Sequence, residues 1–363
     1  MEQLNIPHDN LDKSLHIKTA AQWLCRAQDA GNDRGVSWGI RSNGSFLPSY
    51  PETTGYIIPT FLKLSQYFEE KSFLDRAILM GNWLLNIQLE CGAVRGGVED
   101  GSPPKPVIFN TGQVVLGLCK LYSATGDEKF LIGARQGADW MLKNQSEDGA
   151  WRNGLSDFCL KIVNIYNVNC TLGFIDLTEF TGDSRYLEAA IKSARFALNQ
   201  QNDRGWFSKC CLDDPGNPLL HIIAYTVAGL LDIGCYVHSE EIISRAKLTA
   251  DSILDKLDQE GYLPGCFLSN WSHTVNWCCL TGSAQISVIW SKLYHLGGEE
   301  KYRDAVKRVN EYLMRHHDIS SEKDILRGGI TGSFPVDGEY LPFCMLNWAA
   351  KYFIDALLEV ESL

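Results

Sequence analysis

No apolar run in this chain reaches the roughly 18 residues that a membrane-spanning helix needs. The first 18 residues are polar and lack the apolar core of a signal peptide. Basic charge is also scarce: 33 Lys and Arg stand against 44 Asp and Glu, a formal net charge of −11. That balance argues against nonspecific nucleic-acid binding, which needs a basic surface. It leaves an anionic small substrate open, because the local field at a site matters more than net charge. The 363 residues contain no Pro/Ser-rich linker and no charge block, so one domain is expected although the length alone suggests two or three. The 12 cysteines form no regular C-x-x-C framework. They are read as mostly buried thiols of a protein in a reducing compartment, and the chain is expected to be cytoplasmic.

What the chain does have is a repeated glycine. Gly35 lies in DRGVSWG, Gly92 in ECGAVRGG, Gly149 in EDGAWRNG, Gly205 in DRGWFSK and Gly261 in QEGYLPG, at intervals of 57, 57, 56 and 56 residues. A looser copy, LRGGITG, surrounds Gly328. A period this long implies one large two-helix unit per copy.

Two helical patterns alternate between the glycines. One is apolar on a single side, as in segments 18–28, 73–88, 130–145, 186–200, 240–257 and 301–316. The other is apolar nearly all round and rich in small residues, as in 53–68, 110–124, 166–180, 221–237, 278–296 and 343–360. The first is the signature of an outer layer and the second of enclosed helices. Six of each predict an all-α, single (α/α)6 barrel over residues 15–363, preceded by a tail at 1–14. Tight links such as Thr125-Gly126-Asp127 and Thr181-Gly182-Asp183 join inner to outer helices, glycine ending one and aspartate capping the next. The returning links are long, and long loops in a compact domain are usually functional. They share one face, where the inner helices begin.

Each inner helix opens with polar residues: Glu52-Thr53-Thr54, Asn110-Thr111 with Gln113, Tyr166-Asn167 with Asn169, His221 with Tyr225, Thr281 with Gln285, and Asn347-Trp348. Capping explains such residues singly, but six sets converging on one axis suggest catalysis, and Asn110, Gln113, Tyr166, Asn167, Gln285 and Asn347 are expected to contact the substrate. Six helix N-termini and Arg41, Arg95, Arg152 and Arg327 would favour an anionic substrate, unless the arginines tie the loops together. Trp38 and Trp151, among other loop aromatics, are candidate sugar platforms.

Two chemistries fit this inventory. Proton abstraction beside a uronic-acid carboxylate would use His221 or Tyr225 as base, with Asn110, Asn167 or Arg95 holding the carboxylate or enolate. Glycoside hydrolysis would use Glu52 with a second carboxyl from Glu99, Asp100, Asp157, Asp213, Asp214, Asp337 or Glu339. The first suits the inner-helix residues better. Cys278-Cys279 with His273 and His221 could approach a zinc ion, but small buried residues at a helix start are the preferred reading, as for Cys210-Cys211. No metal or cofactor is expected.

The segments FLPSYPETTGYIIPTF, VIFNTGQVVLGL, PLLHIIAYTVAGLLD, WCCLTGSAQ and RGGITGSFPVDGEY resemble the six-hairpin glycosidase-like and terpenoid-cyclase-like toroids. The likeness is nearest to the prenyltransferase-like toroids of bacterial polysaccharide biosynthesis, and it implies a carbohydrate substrate or a non-catalytic glycan-binding role. Some relatives are excluded by residue. Cys211-Leu212-Asp213-Asp214 lacks the first aspartate of the cyclase acid motif. Trp277-Cys278 has no later Cys-His partner as in lanthionine cyclases. Asn347 stands where the N-acylglucosamine 2-epimerase-like barrels place a second histidine. The lyases' contiguous Asn-His motif is missing.

Overall fold

The alternating apolar patterns resolve into twelve α-helices in two concentric layers among the described residues, which in this computed structural model are 10–41, 44–157, 160 and 162–360. The outer layer comprises α1 (Lys13–Asp29), α3 (Lys71–Asn86), α5 (Glu128–Asn144), α7 (Ser184–Leu198), α9 (Glu240–Leu254) and α11 (Glu300–Arg315). The inner layer comprises α2 (Pro51–Tyr67), α4 (Ile108–Thr125), α6 (Leu172–Thr181), α8 (Leu220–Tyr236), α10 (Leu280–Gly297) and α12 (Asn347–Glu359). Each inner helix packs on the next, and α12 packs back on α2 to close the ring. This is the (α/α)6 toroid that the periodicity predicts. The expected tail, residues 1–14, lies outside the described residues as far as residue 9, and Asp12 caps α1 through Leu15 N at 3.2 Å.

The repeat glycines join one hairpin to the next. Gly92, Gly149, Gly205, Gly261 and Gly328 all have φ between +78° and +91°, a region that L side chains rarely adopt. A Cβ at Gly149 would stand 2.2 Å from the Lys192 carbonyl oxygen of α7. At Gly92 it would stand 2.3 Å from that of Gln136 in α5, and at Gly261 2.2 Å from that of Arg308 in α11. At Gly328 it would meet Thr19 O of α1 at 2.2 Å, so the last loop docks on the first helix.

A glutamine four residues before the glycine fastens three of these joints. Gln88 Nε2 donates to Gly92 O at 2.6 Å and to Gly133 O of α5 at 2.9 Å. Gln145 does the same to Gly149 O and Ala189 O at 3.1 and 2.9 Å, and Gln201 to Gly205 O and Arg245 O at 3.4 and 2.9 Å. At the first joint Gln28 donates to Arg34 O and to Arg76 O of α3.

The tight links behave as expected. Gly126, Gly182 and Gly298 end their helices in the left-handed conformation, and Asp127 and Asp183 cap α5 and α7. At that end of the barrel, ion pairs bridge neighbouring inner helices: Lys63–Glu359, Lys120–Asp176 and Lys292–Asp232, at 2.8, 2.8 and 2.6 Å.

Three inner segments depart from the expected regular helices. Residues Ile165–Thr171 form a 3-10 helix before α6, in which Asn167 Nδ2 and Thr171 Oγ1 donate to carbonyls three residues back; such local side-chain bonds compete with the α-helical ladder. Cys278–Cys279 pairs antiparallel with Ser333–Phe334 instead of opening α10. Met345–Leu346 likewise pairs with Gly39–Ile40 ahead of α12. These two-residue ribbons tie the loops of different hairpins together at the mouth.

Replacing Gly149 by alanine is expected to cost about 2 kcal/mol or more, since it adds a left-handed non-glycine residue to a backbone clash. Urea denaturation of Gly149→Ala against the parent measures this. The freely exposed Gly126→Ala, whose Cβ meets nothing within 4 Å, should cost only the conformational part.

Candidate active site

Desolvation governs the chemistry at the mouth. Glu52 is the second residue of α2, after Pro51, and its side chain keeps part of its surface accessible among buried neighbours. Tyr352 of α12 also stays partly accessible, although both residues belong to the inner ring. Together they mark an opening down the axis. Tyr50 Oη donates to Glu52 Oε2 at 2.9 Å. Burial raises the Glu52 carboxyl to about 7, and the Tyr50 bond only partly opposes it. At neutral pH this carboxyl is poised between acid and carboxylate.

His221 faces the same space from α8 and is 5 % exposed. Its Nδ1 lies 2.7 Å from Gln285 Oε1, and Nε2 makes no hydrogen bond to a described residue. Burial lowers the imidazole to about 4, against the Gln285 bond and aided by the Lys351 charge. His221 is therefore neutral at pH 7. The Tyr225 ring lies 4.5 Å from it, centroid to centroid, tilted by 48°. Burial holds the Tyr225 phenol well above its ordinary range, so at neutral pH it rests as a neutral hydroxyl. Lys351 lies 3.7 Å from the Tyr352 ring centroid and pairs with Asp355 at 2.7 Å; Asp355 also accepts from Thr60 at 2.9 Å.

An aromatic wall leads from the mouth to this floor. Trp38 stacks on Trp348 with centroids 6.0 Å apart and planes at 14°, and Arg41 lies over Trp38 at 5.7 Å. Trp348 Nε1 donates to Tyr340 Oη at 3.0 Å, and the Tyr340 ring stands 5.8 Å from His221. Trp348, Tyr340, Tyr50 and Tyr352 carry no isolated sequence signal as site residues; only their position beside the helix starts could have marked them.

Several expected substrate contacts are otherwise engaged. Trp151 is 1 % exposed and its indole N–H donates to Met141 O at 3.0 Å, so it presents no face to a sugar. Arg95 bonds Glu99 and Asp100 at 3.3 and 3.0 Å, Arg152 bonds Asp148 at 2.7 Å, and Arg327 pairs with Asp324. Each of these three arginines secures its own loop. Arg41 differs, having no carboxylate partner among the described residues. Gln113 donates to Asn169 Oδ1 at 2.9 Å, Asn347 Nδ2 donates to Ser37 O and Thr53 Oγ1, and Asn167 bonds within its own turn. Gln113 and Asn347 thereby fasten neighbouring inner segments. Asn110, 1 % exposed, lies beside the Tyr50 hydroxyl with an Nδ2 that makes no hydrogen bond of ordinary geometry. Tyr166 packs edge-on against Phe109 at 4.9 Å and lines a narrow crevice with Asn167 beside the axis.

No group of three or more His, Cys, Asp or Glu among the described residues could hold a metal ion. Cys278 Sγ lies 3.2 Å from Ser283 Oγ, Cys279 accepts from Gly282 N, and His273 is exposed. A larger hollow, lined by Arg195, Val237 and Glu241, sits on the outer wall and away from the inner-helix starts.

The raised Glu52 carboxyl has a consequence for stability. Its folded value exceeds its ordinary 4.5, so its contribution is full below pH 4.5 and is lost as pH rises through about 7. Glu52→Gln should therefore raise the melting temperature at pH 8 and change it little at pH 4. The upper bound is about 3 kcal/mol, less what solvent at the opening screens. Thermal scans of both proteins at the two pH values test this.

No protein family matches the chain by sequence, and no curated protein matches it. Solved structures do. An unsaturated glucuronyl hydrolase specific for heparin superposes with a TM-score of 0.75 at 16% identity over 96% of both chains. Cellobiose 2-epimerase from Bacillus thermoamylovorans B4167 superposes with a TM-score of 0.77 at 12% identity, over 95% of this chain and 97% of that one. A D-mannose isomerase gives a TM-score of 0.73 at 13% identity, over 98% and 99%. The expected nearer likeness to prenyltransferase-like toroids has no counterpart among these structures. Twelve helices in a closed double ring and this similarity across nearly the whole chain assign it the six-hairpin glycosidase-like fold.

Proposed function

We propose that the protein is a carbohydrate-active enzyme that hydrolyses a glycosidic bond in a uronic-acid-containing oligosaccharide, with Glu52 as general acid. The observation that carries this reading is a single carboxyl, raised to about 7 by burial, at the head of an inner helix in an aromatic-walled opening. A general acid must hold its proton at working pH and still release it, and a value near 7 meets both needs. The sugar-directed activities of the similar structures support the substrate class, and Arg41 over Trp38 supports a carboxylate on the sugar.

In this reading a sugar ring stacks on Trp38 and Trp348. Protonated Glu52 gives its proton to the leaving oxygen as the bond to the anomeric carbon breaks. His221 Nε2 takes a proton from the water whose oxygen bonds that carbon. The imidazolium then returns its proton, through solvent, to the Glu52 carboxylate. The Lys351–Asp355 pair is neutral as a unit, so Arg41 is left to meet the uronate.

The second reading, proton abstraction beside the carboxylate, is favoured by the open Nε2 of His221. There His221 would be the base and Glu52 the donor to the opposite face. Proton NMR in deuterated water separates the two readings. New reducing ends without deuterium on the sugar carbon establish hydrolysis, and deuterium uptake or a vinyl signal establishes abstraction. Silence across a panel of uronic-acid oligosaccharides would leave glycan binding.

Hydrolysis with these roles predicts a bell-shaped kcat/KM. The rate rises as His221 deprotonates near pH 4 and falls as Glu52 ionises near pH 7. A rate that instead climbed through pH 7 would make Glu52 a base. Glu52→Gln should lower kcat by about 10²–10⁴-fold. Trp38→Ala should mainly raise KM, as initial rates over a substrate series would show.

A further inference from the structure

We propose that Gln285, expected from the sequence to bind substrate, is instead a positioning residue: its amide oxygen holds the proton of His221 on Nδ1, so that Nε2 presents a lone pair to the axial opening. The inference rests on the reading of His221 as the base and specifies what makes it one.

A neutral imidazole carries one proton on either nitrogen, and only the bare nitrogen can accept another. Left to itself, imidazole on a side chain prefers the proton on Nε2, which would turn a donor toward the substrate. In this structure Gln285 Oε1 stands 2.7 Å from Nδ1, and an amide oxygen can only accept, so the proton lies on Nδ1. The orientation of the amide is the deciding element. Its nitrogen side faces the Tyr352 hydroxyl, whose ionisation it favours, and this leaves the oxygen for His221. The Tyr352 ring is in turn packed under the Lys351 ammonium at 3.7 Å and beside Tyr225 at 6.0 Å. Four inner-ring side chains therefore converge on one proton.

The local sequence explains how α10 delivers this contact. Gly282 lies one turn before Gln285, and a Cβ there would stand 2.7 Å from His221 N. Without that side chain, α8 and α10 approach closely enough at the mouth for Gln285 to reach the ring. The Gln285 amide oxygen is taken up by His221 and so is not offered to a substrate.

The groups facing His221 from each packed element are Tyr225 on α8, Gln285 on α10, Tyr352 and Lys351 on α12, and Tyr340 from the last loop. Lys351 is the charged one, and Asp355 pairs it.

Long-range ¹H–¹⁵N NMR on the full-length protein, labelled at its 8 histidines, reads the tautomer directly at pH 7. The resonances of His221 are identified by their loss in His221→Phe. The expected wild-type pattern is a protonated Nδ1 and an unprotonated Nε2. Gln285→Met, of similar length, should reverse the pattern and lower kcat on the order of 10²-fold with KM little changed. Gln285→Glu should keep the pattern and move the acid limb of the pH profile upward, because a carboxylate stabilises imidazolium. A wild-type spectrum with Nε2 protonated overturns the proposal, and so does an unchanged pattern in folded Gln285→Met. If Gln285→Met does not fold, the wild-type and Gln285→Glu spectra decide. If the tautomer is as expected but no uronic-acid oligosaccharide is turned over, the positioning stands and the hydrolase reading fails.

Discussion

The toroid depends on one close approach made at five of its six joints: a loop glycine in the left-handed conformation lies against the backbone of the next outer helix, whereas at the first joint Gly35 lies against the Trp83 ring and Ser49. No side chain fits in that gap, as the 2.2 Å distances at Gly149, Gly261 and Gly328 state. Because each glycine belongs to one hairpin and its contact to the next, the joints fix the rotation from unit to unit. Gly328 on α1 completes the circle, alongside the packing of α12 on α1 and α2. Gln88, Gln145 and Gln201 hold both sides of their joints with one amide group, donating to a carbonyl of the loop and to one of the next outer helix.

Once the rotation is fixed, the inner helices must all start on one face, and the chemistry of that face follows. Two opposing effects act on Glu52. The N-terminus of α2 favours the carboxylate by about 0.3–1 kcal/mol, or up to ~0.7 of a pKa unit. Burial works the other way and carries the group from 4.5 to about 7, several times the helix contribution. Burial wins, and an acid results. The same burial acts on a base in His221 with the opposite sign, lowering it to about 4. One enclosed space therefore separates two groups into a proton donor and a proton acceptor at the same pH, which a solvent-filled groove would not do.

The double ring was legible in the sequence because its causes are local and repeated. Apolar residues on one side or on all sides, and Gly-Asp links, act within a few residues of themselves. The short ribbons Cys278–Cys279 with Ser333–Phe334, and Gly39–Ile40 with Met345–Leu346, were not, since each pairs segments far apart in the chain and offers two residues as signal. The 3-10 start at Ile165–Thr171 was hidden by a composition that suits an α-helix equally well. At the site, Glu52 and His221 could be picked out as the ionisable groups at inner-helix starts. The roles of Arg95, Arg152 and Arg327 could not, because a loop arginine near Asp or Glu in sequence serves a loop or a ligand with the same pattern. Here the carboxylates four or five residues from Arg95, and four from Arg152, take the guanidinium first. Trp151 misled for a related reason: aromatic character is visible in sequence, but the direction of the ring is not.

The two ends of the inner ring carry different residues for a physical reason. At the mouth, neutral amides, hydroxyls and aromatic rings surround the axis; Glu52, His221 and Tyr225 are held neutral or nearly so, and Arg41 stands over Trp38 as a cation. At the opposite end, where the helix C-termini gather, Lys63, Lys120 and Lys292 complement the negative ends of the helices while pairing with acids on neighbouring helices. Lys63, Lys120, Asp176 and Asp232 follow one another at 57, 56 and 56 residues, the period of the glycines. Charge is thus placed where water still reaches it and pairing costs little desolvation. Among the described residues, the buried pair inside the ring is Lys351–Asp355, which lies between the two zones. Its position under Tyr352 connects the charged end to the neutral one: it brings a cation to within 3.7 Å of a ring that also contacts Gln285, and through Gln285 His221. A protonated imidazole is disfavoured by that cation as well as by burial, so the architecture of the far end contributes to keeping the base of the near end free.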